Sequence, residues 1–428
     1  MERRNLFPQP TNEMKTTPLE PNPRIDIFDA LRGSALLGIL LVHSIEHWDF
    51  GGNPQHPPDW LRALDGKAND IVFFLFSGKA YGIFAMMFGI SFFLILDRWS
   101  RRGIHFRGRF LWRLAVLAIF GYLNGIIYCG DVLLIIAVLG LPLVFLYQLG
   151  NRALTWISVA LMLQIPSLWA TGRVLFESGY HPPQPHHWAI YGQLFDVYSH
   201  GSFYKVTMTN LWTGQWSRIW WTIESGRYTQ MMGLMVWGLL IGRSRIFEDP
   251  ARCVQLAWRA LLWGAIGFAI FYPIKLHLGA WGLRGMARYE IDNLVSSYCN
   301  LAQLAVWAGG FVLLYQWSRA RTALQLLAPY GRMSLTCYVT QGMFGIPLFY
   351  GYGLAMYHHL GSFYSVFVGV AIFLVQCTFA HWWLKRFAYG PLEWLWRSFT
   401  FLSFATPLRK AAGPPTADAA HVPASAIS

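Results

Sequence analysis

The chain has 428 residues, 55% of them hydrophobic and only 13% charged, with mean hydropathy +0.35 and a formal charge of +13. A soluble protein of this length carries nearer to about a quarter charged residues, so a soluble globular enzyme is excluded and a multi-pass, all-α membrane bundle is expected. The basic excess does not point to nucleic acid, because Lys and Arg sit in short loops between apolar runs, the pattern of positive-inside topology.

Residues 1–23 are polar, contain proline and lack the apolar stretch of a signal peptide, which predicts a flexible cytoplasmic tail. The first helix, from Arg24 to about Ile45, is expected to be an uncleaved anchor. The Gly- and Pro-broken loop after it leads to a short surface helix over 59–70. A second long helix over 71–96 is interrupted by Ser77, Gly78 and Lys79. Arg98, Arg101, Arg102, Arg107, Arg109 and Arg113 follow, with only Asp97 against them. That cluster is placed inside, which puts the amino terminus inside and His43 to Asp70 outside. Further helices are predicted over 111–128, 132–149, 153–172, 228–241, 254–276, 294–316, 331–350 and 361–383. The third and fourth are joined by the outer turn Cys129-Gly130-Asp131, and 173–215 forms a long outer segment. The transmembrane domain thus covers 24–386 with about ten helices and both termini inside. Residues 387–406 alternate aromatic and polar groups, as an amphipathic segment on the inner surface does. The Ala- and Pro-rich stretch 407–428 is expected to be disordered. The five cysteines are scattered and form no CxxC or metal-ligand pattern.

Ionisable residues on the first helix recur at helical spacing. At about 100° per residue, Asp29, Arg32, His43, Glu46 and His47 fall within roughly a 120° sector. Arg32 and His43 lie almost in line, about 16 Å apart along the axis. Such groups are costly in lipid and must face protein or water. At the inner end Asp29 pairs with Arg32 at i,i+3 and caps the helix, or Arg32 joins Arg113, Arg332 and Lys385 in holding a phosphorylated cytosolic ligand. At the outer end a His beside Glu46 is a usable general base near neutral pH. His43, His47 and His56 are the candidates for it. Lys79, Asp131, Glu224 and Arg227 fall at the same depth on other helices and are candidates for binding a polar acceptor. The run HSIEH also matches an inverted zinc-protease motif, but no third ligand is evident and no metal is called for. Three helices open with a Gly–cation pair, Gly78-Lys79, Gly226-Arg227 and Gly331-Arg332. The third lies on the opposite side from the other two, and cations anchoring helix ends explain all three.

The run Asp29-Ala30-Leu31-Arg32-Gly33 resembles the YeiB-like (DUF418) family of bacterial membrane proteins. So do Gly78-Lys79 with Phe84 to Gly89, Gly130-Asp131-Val132-Leu133, Gly331 to Thr336 and Gly390 to Arg397. The resemblance extends over about residues 24–400. That family is grouped with the transmembrane acyltransferases, among them the lysosomal heparan-glucosaminide acetyltransferase. The resemblance implies an acyltransferase core, with acyl-CoA as donor on the inner side and a carbohydrate-like acceptor on the outer side. Where this chain has His43 the family more usually has Asn, so the base is open among His43, His47 and His56. The expectation is therefore an acyltransferase, of acetyl or another acyl group, in the bacterial inner membrane. Its partners would be lipid, donor, glycan-like acceptor and a second copy as homodimer, with no nucleic acid. A transporter of polar solutes is the alternative on physical grounds.

Overall fold

The apolar runs fold into helices, and the computed structural model describes residues 23–410 other than 49, 102 and 104–106. The amino-terminal tail expected over 1–23 lies outside the described residues up to position 22. The chain opens with α1 (Pro23–Ile45), α2 (Asp59–Phe76), α3 (Ala80–Ser100), α4 (Arg107–Ile127), α5 (Leu133–Gly140), α6 (Leu143–Leu146), α7 (Asn151–Met162) and α8 (Ile165–Phe176). It continues with α9 (His186–His200), α10 (Phe203–Thr209), α11 (Gln215–Glu224), α12 (Arg227–Arg243), α13 (Pro250–His277) and α14 (Gly285–Leu314). The last helices are α15 (Ser318–Gln325), α16 (Ala328–Arg332), α17 (Ser334–Phe349), α18 (Ser362–Arg386) and α19 (Pro391–Phe401). Among the described residues six helices are long and apolar enough to cross a membrane, or seven if one bent pair counts as a span.

Every long helix expected from the sequence is helical here, but several differ in form. The surface helix over 59–70 is not separate. It continues into α2, and α2 and α3 run on as one line broken only where Gly78 adopts φ +81°. The fifth predicted helix is α7 and α8, bent by 41°. Pro166 has no N–H to donate to Met162 and its ring would crowd that turn, and Gln164 takes φ +51° at the break. The predicted helices over 132–149, 228–241 and 331–350 are short, the last two with 17 and 16 residues. The outer segment 173–215 is largely helical. It holds α9, α10 and the π-helical turn Asn210–Gly214, which leads into α11. Leu194 and Tyr198 of α9 bury themselves with Trp48, Phe349 and Tyr350, which is why this segment folds down onto the bundle.

The helices alternate between two ends. One, the basic end, joins Arg245 to Asp97 (3.0 Å) and Arg243 to the carbonyl of Leu149 (2.8 Å). The other, the histidine end, carries the end of α1, the turn after α4 and the starts of α3 and α12. Glycines let helices meet backbone to backbone. A Cβ on Gly89 would overlap the Met235 carbonyl, and one on Gly238 the Met86 carbonyl, so α3 and α12 touch directly. Gly33 and Gly331 do the same for α1 and α16, against the carbonyls of Leu327 and Asp29. Small residues at crossings are the usual way membrane helices gain close packing.

The segment expected at the inner surface, 387–406, contains α19, which docks against α4 and α17. In α19, Trp396 donates to the Arg113 carbonyl (3.0 Å), and Trp112 of α4 donates to the Phe399 carbonyl (2.8 Å). Glu393 accepts the amides of Leu335 (2.7 Å) and Thr336 (3.1 Å) and the Thr336 hydroxyl (2.6 Å), capping α17. Burial pushes the Glu393 carboxyl up. The tail expected to be disordered from 407 begins otherwise. Ala388 donates to Leu408 (2.9 Å) and Lys410 to Arg386 (3.1 Å), and positions 411–428 lie outside the described residues.

Gly238→Leu should destabilise the bundle by about 1–3 kcal/mol or more through overpacking against α3. Gly310→Leu, whose added carbon meets no atom within 4 Å, should not. Thermal unfolding of the two variants in detergent checks this.

Candidate functional site

α1 carries His43 in its last turn, half-buried. The imidazole stands edge-on to Tyr128 (ring centroids 5.1 Å apart) and Tyr338 (6.2 Å). It has no hydrogen-bond partner among the described residues. Both tyrosines belong to a fixed frame. Val132 donates its N–H to the Tyr338 hydroxyl (3.0 Å), and Tyr128 opens the turn that holds Asp131.

Asp131 is fully buried. It accepts from Asn124 Nδ2 (2.9 Å) and from the amides of Leu133 (3.1 Å) and Leu134 (3.3 Å), so it caps α5. Its other partner is Arg218 of α11, 3.4 Å away and 2% exposed in its side chain. Arg218 also donates to Gln215, and its Nε is buried with no partner among the described residues. Burial pushes the Asp131 carboxyl up to about 6, outweighing Arg218, which holds it down. The π-helical turn before α11 brings Arg218 here: Asn210 bonds Tyr198 (2.7 Å) and the Ile126 carbonyl (3.1 Å). Widened turns of this kind recur at functional sites.

The other two outer histidines are placed apart from this group. The helix ends at Ile45, and His47 takes φ +51° in the following turn. Its ring is stacked on Phe349 at 4.4 Å, with one nitrogen on the Gly52 carbonyl and the other on Ser365 Oγ (2.9 Å). Burial pushes this imidazole down to about 4 despite the Gly52 contact. His56 is exposed in the loop before α2, and Glu46 is half-buried just past the end of α1.

The four acceptor candidates divide into three places. Asp131 belongs to the turn beside His43. Glu224 clasps the start of α9, accepting from the amides of His186 (2.8 Å) and His187 (3.2 Å) and facing both imidazoles. Burial alone would raise its carboxyl, but the bonds from His187 and His186 bring it below the usual range. Lys79 and Arg227 meet where α3 and α12 begin. Lys79 donates to Asn300 Oδ1 and the Phe73 carbonyl, both 3.1 Å away. Arg227 donates to the Tyr81 hydroxyl and to Gln230 (3.2 Å).

At the basic end Arg32 pairs with Asp29 (3.2 Å) and donates to Ser91 (3.0 Å). Arg332 is exposed within electrostatic reach of Asp29. Arg113 lies 3.6 Å above the Trp396 ring, beside Arg397. Lys385 is exposed in the last turn of α18. Sequence reasoning missed Arg218, Tyr128 and Tyr338. The only available signal for Arg218 was a lone cation in an aromatic run, which reads equally well as an interfacial helix.

Residues 241–403 match the family described as "Protein of unknown function (DUF418)". The chain is 26% identical over 420 residues to the uncharacterized protein YxaH of Bacillus subtilis (strain 168), covering 90% of this chain and 96% of that protein. It is 27% identical over 407 residues to an uncharacterized 39.9 kDa protein from the amylase 3' region of Bacillus acidopullulyticus, with the same coverages of 90% and 96%. It is 25% identical over 414 residues to the uncharacterized protein YeiB of Escherichia coli (strain K12), again with coverages of 90% and 96%. No solved structure matches the chain significantly.

Arg218→Ala should cost about 3–5 kcal/mol, because it strands a buried carboxylate. Asp131 also sets a pH slope. Its folded pKa lies above the ordinary 3.8, at about 6. Between those values the folded chain keeps a proton that the unfolded chain has lost, so stability from this group falls as pH rises through the window and is level above it. Melting temperature against pH should show that slope in the parent and lack it in Asp131→Asn.

Proposed function

We propose, for this YeiB-like member of the DUF418 family, acyl transfer from a cytosolic acyl-CoA to a carbohydrate-like acceptor on the far side of a bacterial inner membrane. The basic end faces the cytosol by the positive-inside rule. One observation carries the reading: the His43 imidazole is half-buried between Tyr128 and Tyr338, without a hydrogen-bond partner among the described residues, and on the same helix as Arg32. A neutral imidazole so placed takes the proton from an acceptor hydroxyl or amine. The acceptor oxygen or nitrogen then forms its bond to the thioester carbonyl carbon, the carbon–sulfur bond breaks, and the proton passes from His43 to the departing thiolate. The donor's phosphates suit Arg32 and exposed Arg332, about 16 Å along α1 from His43, with a path between helices for its thioester arm. His47, with both nitrogens engaged, positions the turn after α1 in this scheme.

Transport of a polar solute is the second reading, favoured by the breaks at 77–79 and 163–164. Both are lined by α14, where Asn300 bonds Lys79 and Ser297 bonds Gln164. Interrupted helices lining a polar site are common in transporters.

Labelled acetyl-CoA and purified protein in detergent test the first reading. His43→Ala should lower transfer or hydrolysis by about 10²–10⁴-fold while keeping the thermal stabilisation by acetyl-CoA. His47→Ala should lower the melting temperature, and His56→Ala should change neither. A parent protein that neither binds nor turns over acyl-CoA would sink the enzyme and move the case to flux measurements in liposomes.

A further inference from the structure

We infer that Lys79, Arg227 and Lys275, gathered where α3 and α12 begin, form a binding site for a phosphate-type anion at the histidine end. Lys79 is 3% exposed, and Arg227 and Lys275 are half-buried. Arg227 reaches the hydroxyl of Tyr81, two residues on from Lys79, and both it and Lys275 lie close enough to repel Lys79. Among the described residues no ion pair joins any of them to a carboxylate. Asp292 approaches from one side, since it and Lys275 both influence Cys299, but it makes no contact of that kind. The three cations, one buried and two half-buried, repel one another, with Asp292, Glu224 and Glu290 in the neighbourhood but in no ion pair with them among the described residues, and an anion bound between them removes that repulsion.

The donors are arranged for it. Arg227 spends one terminal nitrogen on Tyr81 and Gln230, and its Nε is buried with no partner among the described residues. Lys79 gives two of its three protons to Asn300 and the Phe73 carbonyl, which leaves one. Both helices start here after left-handed glycines, Gly78 (φ +81°) and Gly226 (φ +68°), and no side chain caps either start. Their amide ends add positive potential at the same spot. Two of the three Gly–cation pairs in the sequence are thus two halves of one site. The clustered cations favour phosphate, or a phosphate ester, over a single carboxylate. The group has two sources, a phospholipid headgroup or a phosphorylated soluble molecule. That it belongs to the acceptor rests on the acyl-transfer reading; anion binding does not.

The test is thermal unfolding of the full chain in neutral detergent, with phosphate against chloride at fixed ionic strength. Phosphate should raise the melting temperature of the parent. Arg227→Gln and Lys275→Gln should weaken that response at least about tenfold while melting no lower than the parent in chloride, since each relieves repulsion. Arg227→Lys should keep the response. Nanodiscs with and without phosphatidylglycerol separate the sources: a headgroup ligand abolishes the phosphate shift in the anionic discs only, and a soluble one leaves it in both. No phosphate shift in the parent, or an equal shift in both Gln variants, would overturn the site. So would Gln variants that melt lower in chloride, which marks the cations as structural. Acetyl-CoA turnover is measured on the same samples, so loss of the anion site and loss of the enzymatic reading appear separately.

Discussion

A polar group buried away from water must find its partner within the protein. Asp131 meets that constraint at the junction of α4, α5 and α11, where Asn124, two amides and Arg218 surround one carboxylate. The arrangement fixes the turn from Tyr128 to Asp131. Through Val132 it also fixes the hydroxyl of Tyr338. The two rings that flank His43 are therefore set by an ion pair on other helices. His43 departs from the rule, with an imidazole that nothing in the described chain satisfies.

How far the sequence reveals this depends on how local each feature is. The pairing of Asp29 with Arg32 follows from spacing along one helix, and the structure has it. The same projection fails for His47, because a helical face exists only while the helix does, and α1 stops at Ile45. Beyond it the chain turns left-handed and carries the ring into Phe349 and Ser365. The bend at Gln164 was written in Pro166 and could have been read there. The burial of Arg218 could not, since it depends on a π-helical turn and on contacts from Tyr198 and Asn124. Nor does any periodicity bring Lys79 to Arg227. Their meeting comes from the crossing of α3 and α12, which the sequence marks only by glycines spaced like many others.

The motifs that carry the family resemblance also divide by physical role. Gly331 to Thr336 and Gly390 to Glu393 come together as a cap, with Glu393 holding the first amides of α17. Gly331 is itself the point where α16 presses on α1. These residues keep the scaffold in register. Gly78-Lys79 and Gly130-Asp131 stand at the other end, beside charged groups with chemistry available to them. A likeness built from both kinds supports the architecture more firmly than it supports a reaction.

The contact of Gly33 with α16 acts as a fulcrum. Two backbones in direct contact leave no side chain to tilt or slide, so α1 is pinned near its basic end. The arm beyond that point is about a dozen residues long, and His43 rides near its tip, about 15 Å away. A swing of a few degrees at the pinned end moves the imidazole by about an ångström while Arg32 scarcely shifts. Arg32 therefore stands beside a backbone-to-backbone contact, whereas His43 stands among side chains, the rings of Tyr128 and Tyr338.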